Sequence, residues 1–202
     1  MNVTEMKRPR GRPSVFDHEE ALDKALLVFW TRGYEGASMA ELTDALGINR
    51  PSIYAAFGNK EALFRKVMRK YLSGPVSYVS EAFQQPTAKQ AVEMLLIKSA
   101  EFLGNPDHPK GCMLVQGALT CGQGAELIQQ ELAGFRKGYE NALTKRLEFA
   151  QSHHDFPKEI NPAEFAKYIA TVHQGMSVQA TSGATKEELL AVVSLVLKNW
   201  PR

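Results

Sequence analysis

Residues 38–60 constrain this chain more than any other stretch. Ser38 is followed three positions later by Glu41, the spacing of a capping box, and Met39, Leu42, Ala45 and Leu46 give the short helix an apolar side before Gly47 stops it. Asn49 is the next cap, and Pro51 falls in the first turn, where its missing N–H does no harm. Ile53 and Phe57 carry the helical spacing to Gly58, and Asn59 caps a further helix from Lys60 to about Leu72. A longer helix precedes them. It is capped by Asp17, carries Ala21, Leu22, Ala25, Leu26, Phe29 and Trp30 on one side, and ends near Arg32 because Gly33 supplies the exit. Two short helices across a glycine turn, braced by a longer one, read as a helix-turn-helix; the same spacing also describes an ordinary three-helix corner.

Charge adds weight to the first reading. The net charge is only +2, but residues 1–70 hold 12 basic and 9 acidic side chains against 12 and 13 in the remainder, so a polyanion should meet the N-terminal third. Residues 1–16 form a basic arm in which Arg8, Arg10 and Arg12 surround Gly11 between Pro9 and Pro13. Arginines so spaced suit a narrow A·T-rich minor groove, although a solvated tail has the same composition. The expected domains are this arm, a DNA-binding unit over 17–62 and a larger body over 63–202.

The body reads as helical throughout, making the chain all-α with about nine helices. Gly74 and Pro75 kink or restart a helix that reaches about Phe83. Further helices are predicted over 88–103, 125–150, 162–183 and 185–200, with a short buried one over 112–120. The helix over 185–200 is apolar around much of its circumference. Such a helix closes a four-helix bundle with a second copy or sits centrally in a monomer, and pattern alone does not choose.

Several classes are set aside. No run of 18 apolar residues exists for a membrane span, and Asp17, His18, Glu19 and Glu20 stand where a signal peptide needs its apolar stretch, so a reducing cytoplasm is expected. No His-Glu-x-x-His pattern, phosphate loop or dinucleotide fingerprint occurs, so neither an enzyme nor a cofactor is expected. Cys112 and Cys121 lie nine positions apart, outside the usual redox and finger spacings. A metal site recruiting His108 or His173, or a disulfide between the cysteines, competes with the simpler reading of two small buried hydrophobes. No metal site is expected.

Over residues 14–72 the sequence resembles the TetR family of bacterial transcriptional regulators. The resemblance rests on Phe29-Trp30-Thr31-Arg32-Gly33-Tyr34-Glu35-Gly36-Ala37-Ser38-Met39 and on Leu46-Gly47-Ile48-Asn49-Arg50-Pro51-Ser52-Ile53-Tyr54-Ala55-Ala56-Phe57-Gly58-Asn59-Lys60-Glu61-Ala62-Leu63-Phe64. It implies a homodimeric repressor that binds double-stranded DNA at a palindromic operator and is released by a small-molecule effector. It also implies a recognition helix over Asn49–Phe57, with contacts from Ser38, Asn49, Arg50, Pro51, Ser52, Tyr54 and Lys60. An architectural DNA-binding protein and a ligand- or metal-responsive activator are the alternatives. Leu95, Phe102, Met113, Gln116, Phe135, Tyr139 and His173 are the candidate effector contacts, each also a plausible core residue. Phe165, Ile169, Val172, Met176, Leu189, Val193, Val196 and Leu197 are the candidate dimer face.

Overall fold

The computed structural model describes residues 17–119 and 125–201. The arm with Arg8, Arg10 and Arg12, and Cys121, lie outside the described residues. Ten helices are present among the described residues: α1 (His18–Gly36), α2 (Met39–Leu46), α3 (Arg50–Phe57), α4 (Lys60–Ser73), α5 (Tyr78–Ala82), α6 (Ala88–Gly104), α7 (Met113–Leu119), α8 (Glu126–Ser152), α9 (Pro162–Thr181) and α10 (Lys186–Lys198). The fold is all-α as expected. The short α5 is a separate element because the chain turns over Gly74–Ser77 before helical pairing resumes. No helix among the described residues is long and apolar enough to cross a membrane.

Local chemistry sets the first four helices. Asp17 accepts from the Glu19 and Glu20 amides, Ser38 and Glu41 form a reciprocal capping box, and Asn49 and Asn59 accept from the Ser52 and Ala62 amides. Gly33 breaks α1 with non-helical angles near the expected end. Gly47 sits at φ 68°, ψ 23° between α2 and α3, a left-handed conformation that glycine adopts without a Cβ penalty. This turn fixes the angle between the two short helices.

Two apolar cores organise the chain. The first joins α1–α4 through Phe29, Trp30, Leu42, Ile53, Phe57, Leu63, Phe64 and Tyr71, and takes in Met113, Ile128 and Leu132 from α7 and α8. From α4, Leu63, Phe64, Val67, Met68 and Tyr71 are buried in it. The second core joins α6, α8, α9 and α10 through residues such as Leu96, Leu143, Leu147 and Ala166. Arg65 of α4 grips Glu131 of α8 through Nε at 2.9 Å and a second nitrogen at 2.7 Å, a charge-assisted clamp between the two regions.

The residues expected at a dimer face lie largely inside the protomer. Ile169, Met176, Leu189, Val193 and Val196 are 0–4% exposed inside the protomer's own second core, and Phe165, Val172 and Leu197 pack partly buried against it. The strongest apolar stripe of α10 is spent on α6, and that of α9 on α6 and α8. A different set faces outward: Tyr168 and Val178 on α9, Val192 and Leu195 on α10.

Candidate nucleic-acid interface and ligand cavity

Helix α3 divides cleanly into two sides. Ile53 and Phe57 point into the first core, while Asn49, Arg50, Pro51, Ser52 and Tyr54 are exposed. Arg50 folds back over one helical turn, donating from Nε and a terminal nitrogen to the Tyr54 hydroxyl oxygen at 3.0 and 2.9 Å. The phenol proton remains available to an acceptor such as a phosphate oxygen. Ser38 is exposed at the start of α2, with its hydroxyl held in the capping box by Glu41. Asn49 spends its side-chain oxygen on the Ser52 amide and keeps its NH2 group.

Lys60 stands at the N-terminus of α4 with its ammonium 4.5 Å from the centre of the Tyr34 ring. Burial pulls its pKa below the ordinary lysine range, against the opposing pull of Glu35 and Glu41. The exposed side chains of α3, the first turn of α2 and the first turn of α4 therefore offer hydrogen-bond donors and positive charge, the chemistry that holds a nucleic-acid backbone.

A cavity of about 470 Å³ lies between α4, α5, α6, α7, α8 and α9. Phe135, Tyr139 and His173 line it; Leu95, Phe102, Met113 and Gln116 do not. Leu95 is fully buried in the second core, and Met113 is buried in the first. The Phe102 ring is taken up by Trp30 and His108, with centroids 5.6 and 4.4 Å away. Gln116 borders a separate cleft beside Trp30 and Thr31. Sequence reasoning missed Leu72, Val76, Tyr78, Cys112, Arg136 and Ser177, which also line the cavity. The presence of Arg136 one turn before Tyr139 on α8 was the available signal, since a cation and a phenol then share a side of the helix.

Polar groups of the cavity wall are organised in a chain. The Ser99 hydroxyl donates to the Leu95 carbonyl at 2.6 Å and stands 2.7 Å from His173 Nε2, while the Tyr139 hydroxyl stands 2.7 Å from His173 Nδ1. The Tyr78 hydroxyl is 3.2 Å from the Ser99 oxygen. Burial lowers the His173 pKa to about 4 and raises that of Tyr78 and Tyr139. Cys112 Sγ accepts from the Tyr71 hydroxyl at 3.4 Å, and burial pushes its thiol pKa up, which disfavours the reactive thiolate. Among the described residues no group of three His, Cys, Asp or Glu side chains could hold a metal ion.

The lowered His173 pKa carries a stability prediction. Above pH 6.5 the ring is neutral in both folded and unfolded chains; between 6.5 and about 4 only the unfolded chain takes up the proton, so stability falls with pH across that window. The expected loss by about pH 4.5 is roughly 2–3 kcal/mol from this group. Urea unfolding at fixed protein concentration should show a flatter pH dependence for His173→Gln than for the unsubstituted chain. Parallel slopes would mean that the ring titrates normally.

The cavity wall meets α1 and α4 through shared neighbours. Trp30 of α1 donates its indole N–H to the Gly111 carbonyl at 3.0 Å, and the Met113 amide donates to the Tyr71 hydroxyl of α4 at 3.3 Å. Gly111 has φ +79°, and a Cβ there would stand 2.6 Å from Thr181 Cγ2, so this crossing admits only glycine without rearrangement. Residues 111–113 thus touch the cavity, α1 and α4 together.

An exposed recognition-type helix in a glycine-turned helix-turn-helix, set on a helical body, defines a DNA-binding transcriptional regulator. Residues 21–67 match the family model of bacterial regulatory proteins, tetR family. Across 97% of this chain and 94% of its own length, the HTH-type transcriptional repressor ComR of Escherichia coli K12 is 32% identical. The repressor BdcR of the same strain is 29% identical over 96% of this chain and 94% of its own length. A solved structure of a cysteine mutant of the TetR family transcriptional regulator CifR, complexed with a 26-bp double-strand operator DNA, superposes with a TM-score of 0.89 at 38% identity. It covers 94% of this chain and all of that one. This chain belongs to the TetR family.

Proposed function

We infer that this protein is a homodimeric repressor that holds a palindromic operator and releases it when a small molecule occupies the cavity. The observation that carries this reading is the join at residues 111–113, where the cavity wall, Trp30 of α1 and Tyr71 of α4 meet. A ligand favouring one arrangement of that join favours one placement of α1 and α4, and with it one separation of the two α3 helices in a dimer. DNA affinity and ligand affinity are then linked reciprocally. The names of ComR and BdcR as repressors, and the operator DNA bound to CifR, support the sign and the partner. Two copies of α3 in successive major grooves require half-sites about 34–36 Å apart.

The test is selection of genomic fragments by purified protein at about 0.15 M salt, followed by footprinting of the enriched DNA. A single palindromic footprint is expected. Arg50→Ala should weaken binding to that site by about 5- to 150-fold, the range for losing one bidentate base or phosphate contact, with helicity unchanged. Diffuse recovery of A·T-rich fragments, indifferent to Arg50, would overturn a sequence-specific repressor and leave the arm as the main DNA contact.

A further inference from the structure

The hydrogen-bond chain behind the cavity has a direction, and the direction restricts the ligand. A carbonyl oxygen only accepts, so the 2.6 Å contact between Ser99 Oγ and the Leu95 carbonyl uses the serine's one proton. Ser99 Oγ can then only accept at its other contacts. At 2.7 Å from His173 Nε2 it receives that nitrogen's proton, which fixes the Nε2–H tautomer; at 3.2 Å it receives the Tyr78 proton. His173 Nδ1 is left with a lone pair, so the Tyr139 hydroxyl donates to it at 2.7 Å. The ring's lowered pKa keeps it neutral near pH 7, as this assignment requires. Both phenol protons are spent inside the protein. Any polar face that Tyr78 and Tyr139 turn to the cavity is an oxygen lone pair.

Charge restricts the ligand again. Among the described residues, Arg136, with one terminal nitrogen on the Leu114 carbonyl at 3.1 Å, is the ionised side chain lining the cavity, and no carboxylate lines it. A cation would meet repulsion without a counter-ion.

We propose that the cavity takes a small, neutral or anionic apolar molecule that presents an O–H or N–H donor to the Tyr78 and Tyr139 oxygens, with a phenol as the simplest such class. This rests on the cavity being the effector site. The remaining wall, from Leu72, Val76, Val79, Phe83 and Phe135, suits an apolar ring or chain. The donor selects among such molecules because an acceptor buried against an ether or a hydrocarbon loses its bond to water and gains none.

Calorimetric titration of the full-length protein with para-propylphenol and with its methyl ether tests the proposal, since the pair differs at the donor. The phenol should bind about tenfold or more tightly, and the ratio should fall to near one in a Tyr78→Phe/Tyr139→Phe variant. Nitrogen-15 spectra of His173 in the unsubstituted protein should place the ring proton on Nε2, whatever the variant's folding. A proton on Nδ1, equal binding of the two probes, or binding of neither would overturn the proposal. Gly138→Trp separates the two levels, because Gly138 borders the cavity and a Cβ there meets nothing within 4 Å. If both probes bind equally and Gly138→Trp abolishes both, the cavity reading stands and the donor rule falls. If Gly138→Trp leaves binding unchanged, the probes bind elsewhere and the cavity reading falls with the donor rule.

Discussion

Replacing Val192 and Leu195 together by glutamate is expected to give a folded monomer whose operator affinity has dropped at least about 100-fold, the avidity lost when one of two linked contacts disappears. Leu195 is 60% exposed and Val192 39%, on the side of α10 turned away from the second core. Along α9, Tyr168, Thr171, Gly175 and Val178 recur at three- and four-residue steps and are all exposed, forming a second outward strip. Large apolar side chains left outward on α9 and α10 suit packing against a second copy about a two-fold axis. A glutamate on such a two-fold face comes close to its own copy, so charge repulsion adds to lost burial. Because both side chains are exposed in the protomer, the substitutions should move its own stability by no more than about 0.5 kcal/mol. Sedimentation and operator titration on the same samples check this. A variant that stays dimeric with unchanged affinity would place the partner face elsewhere on the body.

The contrast between this face and the one expected from sequence shows what periodicity conveys. Leu189, Val193 and Val196 form the most regular apolar stripe of α10, and that regularity signals burial without naming the neighbour. The protomer itself uses the stripe. The weaker outward pair, Val192 and Leu195, lies among Glu188, Ala191 and Asn199 and carries no comparable signal. The helix-turn-helix was legible for the opposite reason. Its determinants are local: the Ser38–Glu41 box, the left-handed Gly47, and the Asn49 and Asn59 caps all act within four residues. The cavity had no such signature, because it is a space that six helices leave unfilled and its lining follows no single period. Phe102 illustrates the difficulty: its ring is taken by Trp30, 72 positions earlier in the chain, and a helical repeat holds no trace of that stack.

Trp30→Ala should be the most destabilising single change in the first core, at about 3–5 kcal/mol, the range for truncating a large buried aromatic. Trp30 is 5% exposed and stacks on His108 at 4.7 Å and on Phe102 at 5.6 Å, with Tyr71 edge-on at 5.0 Å. Its indole N–H is the donor to the Gly111 carbonyl. Trp30→Phe keeps much of the ring volume and removes that donor, so it should cost less, about 1–3 kcal/mol from an unpaired buried carbonyl and partial loss of the stack. The distribution of the loss matters more than its size. Trp30 bolts α1 to the 105–112 loop, so both variants should loosen the first four helices relative to the body and leave the second core intact. Hydrogen exchange should then show α1–α3 amides losing protection at lower denaturant than amides of α6 and α9, with a wider gap than in the unsubstituted chain. Uniform loss of protection along the chain would mean that the Trp30 contact stabilises one cooperative unit. A Trp30→Phe cost below about 0.5 kcal/mol would show that the Gly111 bond contributes little, since surface-like changes fall within that bound. The second result would remove the indole N–H as the link between cavity and DNA-binding helices, leaving Tyr71 to carry it.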